Sequence, residues 1–164
     1  MGVPLVADVN VLVAAVDFDD PSTAEDAFPA PPPVRGRAEP LLLGALLTGD
    51  EFSLWLSPHI LRLTERVLTE AAQWSKENTS RYCQRLRRVA DLTGGGVVTP
   101  NTNVSDCKDW EDNRILELAE TVGAFLIVSN DDDLISMSPW RGIVVLDAAQ
   151  FVGRVDAMRR HSGR

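Results

Sequence analysis

Two short apolar runs, Leu5-Val6-Ala7 and Phe125-Leu126-Ile127-Val128, are each followed closely by acids: Asp8 after the first, and Asp131-Asp132-Asp133 after the second. Short continuous apolar runs of this kind read as strands buried on both faces, the pattern of a parallel sheet covered by helices. A carboxylate just past such a strand stands at its carboxyl end, where open α/β sheets keep their ligand crevice. A third acidic station, Asp109-Trp110-Glu111-Asp112-Asn113, opens a helical stretch. Carboxylates meeting in one crevice repel one another unless a divalent cation holds them.

The rest of the chain supports an alternation of strands and helices. Pro4 to Asp8 reads as a first strand, and Asn10 to Val16 as a short helix. Residues 17–40 carry acids and then Pro29, Pro31, Pro32, Pro33, Gly36 and Pro40, a composition that propagates neither a helix nor a central strand, and this is expected to be a mobile inserted loop. A helix is predicted over Leu41 to Leu47, a strand over Phe52 to Leu56, and a further helix from Ser57-Pro58, with Ile60, Leu61, Thr64, Val67, Leu68 and Ala71 at helical spacing. Tyr82, Leu86, Val89 and Ala90 continue that spacing in the next helix, which Gly94-Gly95-Gly96 stops ahead of a small strand at Val97-Val98. Further on come a helix over Glu111 to Val122, a strand over Ala124 to Ser129, a short helical segment at Leu134 to Met137, a strand over Ile143 to Leu146, and a helix from Asp147 to Arg159. The expected fold is α/β, a three-layer α/β/α sandwich with a central parallel sheet.

Length and composition bound this reading. At 164 residues and 45% hydrophobic content, residues 1–164 fit one domain with a sufficient core. No apolar run of roughly 18 residues exists, and the N-terminus lacks the signature of a signal peptide, so a cytoplasmic protein with no membrane association is expected. Cys83 and Cys107 are read as reduced thiols. The net charge of -8 disfavours loose binding to nucleic acid through phosphates, an argument that weakens if part of the acidity is a metal site.

Each acidic station also has a plain structural explanation. Asp8 and Asn10 suit a helix cap, and acids at positions 109, 111 and 112 suit a helix N-terminus. Three acids directly after a buried strand are harder to explain as a turn alone, because a turn gains nothing from the repulsion. The stations gain specificity together, since strand end, helix start and next strand end reach one crevice if the sheet is parallel.

Val6-Ala7-Asp8-Val9-Asn10-Val11-Leu12-Val13 resembles the opening of PIN domains, the nuclease family that includes the toxins of VapBC-type toxin-antitoxin pairs. Asp112 to Ala119, then Gly123 to Leu134, and the ending Gly142-Ile143-Val144-Val145-Leu146 with Phe151 resemble that family's second half. The resemblance covers most of the chain apart from the Pro-rich insertion. It implies a PIN-like fold and a metal-dependent ribonuclease, with Asp8, Asp112 and Asp131 as catalytic, metal-binding acids and Asp133 as a further carboxylate on the metal. Asn10 would position the loop. Such a site, lacking His and Cys, suits Mg²⁺ or Mn²⁺ rather than zinc. RNA as substrate, a cognate antitoxin and a homodimer are the partners that the resemblance implies.

One position departs from the pattern. Relatives carry a Glu in the helix after the second strand, and this chain has Leu63 there, with Glu65 two residues on as the candidate substitute. Two helical residues are about 200° apart around the axis, so Glu65 is not expected to face where residue 63 faces. Arg81, Arg85 and Arg88, with Arg87, Lys76 and Tyr82, form a basic helix that is a candidate RNA contact, although a solvated face explains it equally. Arg154, Arg159, Arg160 and Arg164 suit a helix C-terminus, His59 and His161 read as structural or exposed, and the four tryptophans read as packing. Two other functions stay open: a catalytically impaired PIN domain that binds RNA or protein, and a phosphotransferase of the haloacid dehalogenase type, which needs a second Asp where Asn10 stands.

Overall fold

The computed structural model describes residues 2–16 and 38–163. Five strands form one sheet: β1 (Val3–Ala7), β2 (Phe52–Leu56), β3 (Gly96–Val97), β4 (Leu126–Val128) and β5 (Val144–Leu146). Their order is β3-β2-β1-β4-β5, and every pairing is parallel. The described helices are α1 (Val9–Ala14), α2 (Ala38–Leu47), α3 (Pro58–Glu70), α4 (Lys76–Leu92), α5 (Trp110–Val122), α6 (Asp132–Ile135) and α7 (Ala148–Ser162).

Leu5, Val6 and Ala7 are each fully buried. Because successive strand residues point to opposite faces, helices must cover both sides of β1, which makes the architecture α/β/α. The chain builds outward from β1 to β2 and β3, then returns to place β4 on the other flank of β1. The sheet order therefore reverses between β1 and β4, and the crevice of such a fold opens at that point beyond the strand ends.

Local chemistry explains the boundaries. Ser57 caps α3 by accepting from the Ile60 amide, with Pro58 in the first turn where its missing N–H costs nothing. Asp147 and Gln150 close a capping box at the start of α7. Gly123 ends α5 at φ 63°, a left-handed conformation suited to glycine. Gly95 lies so close to the Leu54 carbonyl that a Cβ would overlap it, which lets β3 approach β2.

Several expectations need correction. Helix α2 includes Ala38, Glu39 and Pro40, residues expected in the loop, because a proline in the first turn removes no needed hydrogen bond. Positions 17–37 of that expected insertion lie outside the described residues. Tyr82 is fully buried and donates its hydroxyl to the Leu12 carbonyl at 2.6 Å, so it belongs to the core and not to a base-stacking face. Arg159 does more than complement a helix end: its guanidinium grips both Glu51 oxygens at 2.8 Å and the Ala45 carbonyl at 2.7 Å. Among the described residues no helix is long and apolar enough to cross a membrane.

Candidate active site

The sheet register sets two acidic stations side by side. Ala7 pairs with Val128, so the residues that follow, Asp8 and Ser129, leave neighbouring strands together. The Ser129 hydroxyl donates to Asp8 Oδ2 at 2.7 Å and accepts the Asp131 amide at 3.0 Å, linking the first acid to the third. Asp8 Oδ1 accepts from the Val9 amide at 2.7 Å and so caps α1. Asp131 caps α6 by accepting from the Asp133 amide at 2.9 Å. The capping expected of Asp8 is therefore real, but each of its carboxylate oxygens carries two lone pairs and keeps one for a further partner.

Asp112 arrives on a different element. Asp109 caps α5 through the Glu111 amide, and Asp112 follows in the first turn. The segment leading into this helix is tied down twice. Asn113 accepts the Cys107 amide at 2.8 Å and donates to the Cys107 carbonyl at 3.0 Å, while the buried Glu117 carboxylate takes the Val104 amide at 3.0 Å and Arg114 at 2.8 Å. These ties fix where the helix begins, and with it where Asp112 points.

One carboxylate oxygen each from Asp112, Asp131 and Asp133 lies within 4.8 Å of the others. Asp8 stands outside that tight group but lines the same crevice, about 540 Å³ in volume, together with Asp112 and Asp131. The electrostatics reflect this crowding. Burial, then the charges of Asp131, Asp109, Asp8 and Asp133, push the Asp112 carboxyl up to about 7. Asp8 is also raised, by burial first and secondarily by Asp131 and Glu111, against the lowering effect of its bonds from Ser129 and Val9. Carboxylates that resist ionising because they are buried and crowd one another gain from a shared cation, and an all-oxygen donor set fits a hard divalent ion.

The other expected site residues fall as follows. Asn10 lines the crevice and accepts the Asn130 amide at 3.2 Å, holding the loop between β4 and α6. Leu63 lines the crevice and Glu65 does not: Glu65 is exposed and its charge bears on Cys83 on the α4 side, as a 200° rotation requires. Glu65 is thus no substitute for an acid at position 63. Arg81, Arg85 and Arg88 are also absent from the crevice lining; Arg81 pairs with Glu77 on its own helix at 3.0 Å. His59, read from sequence as structural or exposed, lines the crevice, and Trp110, read as packing, is 58% exposed beside it.

Sequence reasoning gave Ser129 no role at this site and did not see that one face of α3 would wall it. Ser129 follows β4 just as Asp8 follows β1, and that equivalence of position was the available signal. His59, Leu63, Arg66 and Val67 follow i, i+4, i+7, i+8 spacing on α3, one helical face that turns out to be the crevice wall.

A parallel sheet reversing at β1 and β4, with acids gathered beyond the reversal, defines an α/β protein with a candidate metal centre. The model of the PIN domain family matches residues 4–133, and the chain belongs to that family. PIN domains are in general nucleases that depend on a divalent metal. No curated protein matches the chain.

Proposed function

We propose that this protein is a ribonuclease that hydrolyses RNA phosphodiester bonds with Mg²⁺ or Mn²⁺. The observation that carries the reading is the gathering of Asp112, Asp131 and Asp133 oxygens within 4.8 Å of one another, beside Asp8, in an open crevice. Asp112, Asp131 and Asp133 would hold the cation, and Asp8 would complete its surroundings directly or through water. A bound divalent ion supplies a water of lowered pKa and neutralises charge on the phosphate. The chain's own part is positional. Ser129 keeps Asp8 and Asp131 in register, Asn10 holds the loop from which Asp131 projects, and the acids orient the attacking water by accepting its proton. In the reaction a water oxygen joins phosphorus, one P–O ester bond breaks, and the departing oxygen takes up a proton.

Resemblance to VapBC-type toxins extends the proposal to a cytoplasmic homodimer restrained by a cognate antitoxin. A second reading, an RNA- or protein-binding PIN domain without catalysis, is favoured by one observation: an apolar side chain, Leu63, lines the crevice where relatives carry an acid.

Mn²⁺ titration with thermal unfolding, followed by incubation with total RNA, separates the two. Stabilisation of wild type but not of Asp112→Asn, with RNA cut in Mn²⁺ and spared in EDTA, supports the nuclease. Stabilisation without cleavage supports the binding module, and no stabilisation at all refutes the metal centre.

A further inference from the structure

One wall of the crevice is made by His59, Leu63, Arg66 and Val67 of α3, and Trp110 in the first turn of α5 stands beside it. Trp110 stands between two lining residues, Asp109 and Glu111, yet leaves 58% of its surface exposed. Trp74 and Trp140, at 4% and 6%, show what packing tryptophans look like in the same fold. The Trp110 ring lies 5.3 Å from that of His59, and the Arg114 guanidinium sits 5.8 Å from its centroid. His59 Nε2 is buried and has no hydrogen-bond partner among the described residues. The charges of Glu111, Arg62, Arg114 and Arg66 all reach the His59 imidazole. Arg66 lines the crevice and lies 3.6 Å from Glu111, Arg114 pairs with Glu117 at 2.8 Å, and Arg62 is exposed on α3.

Resting on the nuclease reading above, we propose that Trp110 and His59 form a stacking platform for an unpaired RNA base next to the phosphate that the metal centre would hold, with Arg62 and Arg66 meeting the flanking phosphates. Aromatic faces bordered by cations are how proteins hold single strands, because every unpaired base offers a free π-face whatever its sequence. A duplex offers no such face in its interior. The platform thus selects single-stranded over duplex RNA.

The test is fluorescence anisotropy with a short fluorescein-labelled RNA of mixed sequence, single-stranded or annealed to its complement, with Ca²⁺ as the divalent ion. Wild type binds the single strand more tightly than the duplex. Trp110→Ala weakens single-strand binding roughly tenfold, Trp110→Phe keeps most of it, and Arg88→Ala, away from the crevice, changes nothing. Mn²⁺-induced thermal stabilisation of Trp110→Ala matches wild type, which shows the fold and acids intact. If wild type binds and cuts RNA and Trp110→Ala does both equally well, or if duplex binds as tightly as single strand, the platform is refuted and the nuclease reading stands. Binding of unpaired RNA through Trp110 without cleavage keeps the platform and removes the nuclease. Neither binding nor cleavage by wild type overturns both.

Discussion

The hydroxyl of Ser129 lies 2.7 Å from Asp8 Oδ2, across 121 positions of sequence, and the same oxygen receives the Asp131 amide at 3.0 Å. A single fully buried side chain thus joins the ends of β1 and β4 and sets the spacing of two acids. Ser129→Ala should remove a donor from Asp8 and an acceptor from the Asp131 amide at once. The expected cost is about 1–3 kcal/mol of stability, because both groups lose their partner in a largely dry place. Chemical denaturation measures it. Mn²⁺ affinity should fall as well, since the Asp131 loop loses an anchor, and an unchanged affinity would show that the hydroxyl serves the fold alone.

The pH dependence of the metal-free protein should carry the mark of Asp112. Its folded pKa of about 7 lies above the ordinary aspartate value of 3.8, so the folded state prefers the proton. The associated stability is fully present below about 3.8 and is lost as pH rises through about 7. Asp8, also raised, acts in the same direction. Glu51, held low chiefly by its hydrogen bonds from Arg159, acts oppositely and contributes stability that disappears on acidification. The comparison is therefore between wild type and Asp112→Asn in EDTA. Above pH 7 the Asn variant should be the more stable, by on the order of a few kcal/mol at most, and the gap should close toward pH 4. Equal unfolding curves at pH 8 would show that neither burial nor the neighbouring acids disfavour the ionised Asp112 as argued.

The strands of this fold were legible because burial on both faces leaves a strong mark: Leu5-Val6-Ala7 and Leu126-Ile127-Val128 have no polar interruption. The meeting of the acidic stations followed from parallel topology, which fixes strand ends to one edge of the sheet. Rotation about α3 was also legible, since 3.6 residues per turn places Leu63 and Glu65 on different faces. What stayed hidden were relationships without a local pattern. Nothing around Ser129 announces that its hydroxyl will reach Asp8, and although helical spacing set Tyr82 with Leu86, Val89 and Ala90, nothing local shows that its hydroxyl will meet the Leu12 carbonyl. Trp110 misled for a related reason: large aromatics are usually packing, and only the packed fold reveals one left outside.

The contact between α7 and the opposite end of the sheet should be separable from the site. Arg159 reaches Glu51, Ala45 and Thr48, joining α7 to the end of α2 and the start of β2, whereas the acids lie beyond the other ends of the strands. Arg159→Lys keeps the charge but not the two-pronged grip on Glu51, and should cost about 1–2 kcal/mol, since the pair is partly exposed to water. Thermal unfolding should show that loss, while the Mn²⁺-induced shift in Tm stays as in wild type. A reduced shift would mean that the two ends of the sheet are coupled.

The chemistry of position 63 gives the sharpest functional expectation. Leu63 is half-buried on the crevice wall, on the same helical face as His59, Arg66 and Val67, and lines the same crevice as Asp8, Asp112 and Asp131. A carboxylate introduced there has an open crevice to enter, so Leu63→Glu should fold with little penalty. In the absence of metal it adds another like charge and should lower Tm above neutral pH. With Mn²⁺ it adds an oxygen donor to the three already gathered, so the ion should bind more tightly and RNA hydrolysis should rise above wild type. Glu65→Ala, on the other side of the helix, should leave both quantities as they were. Calorimetric Mn²⁺ titration beside a cleavage assay on single-stranded RNA decides the matter: tighter metal binding with no gain in hydrolysis would place the limit on turnover elsewhere than position 63, and unchanged metal binding would show that this wall does not face the ion at all.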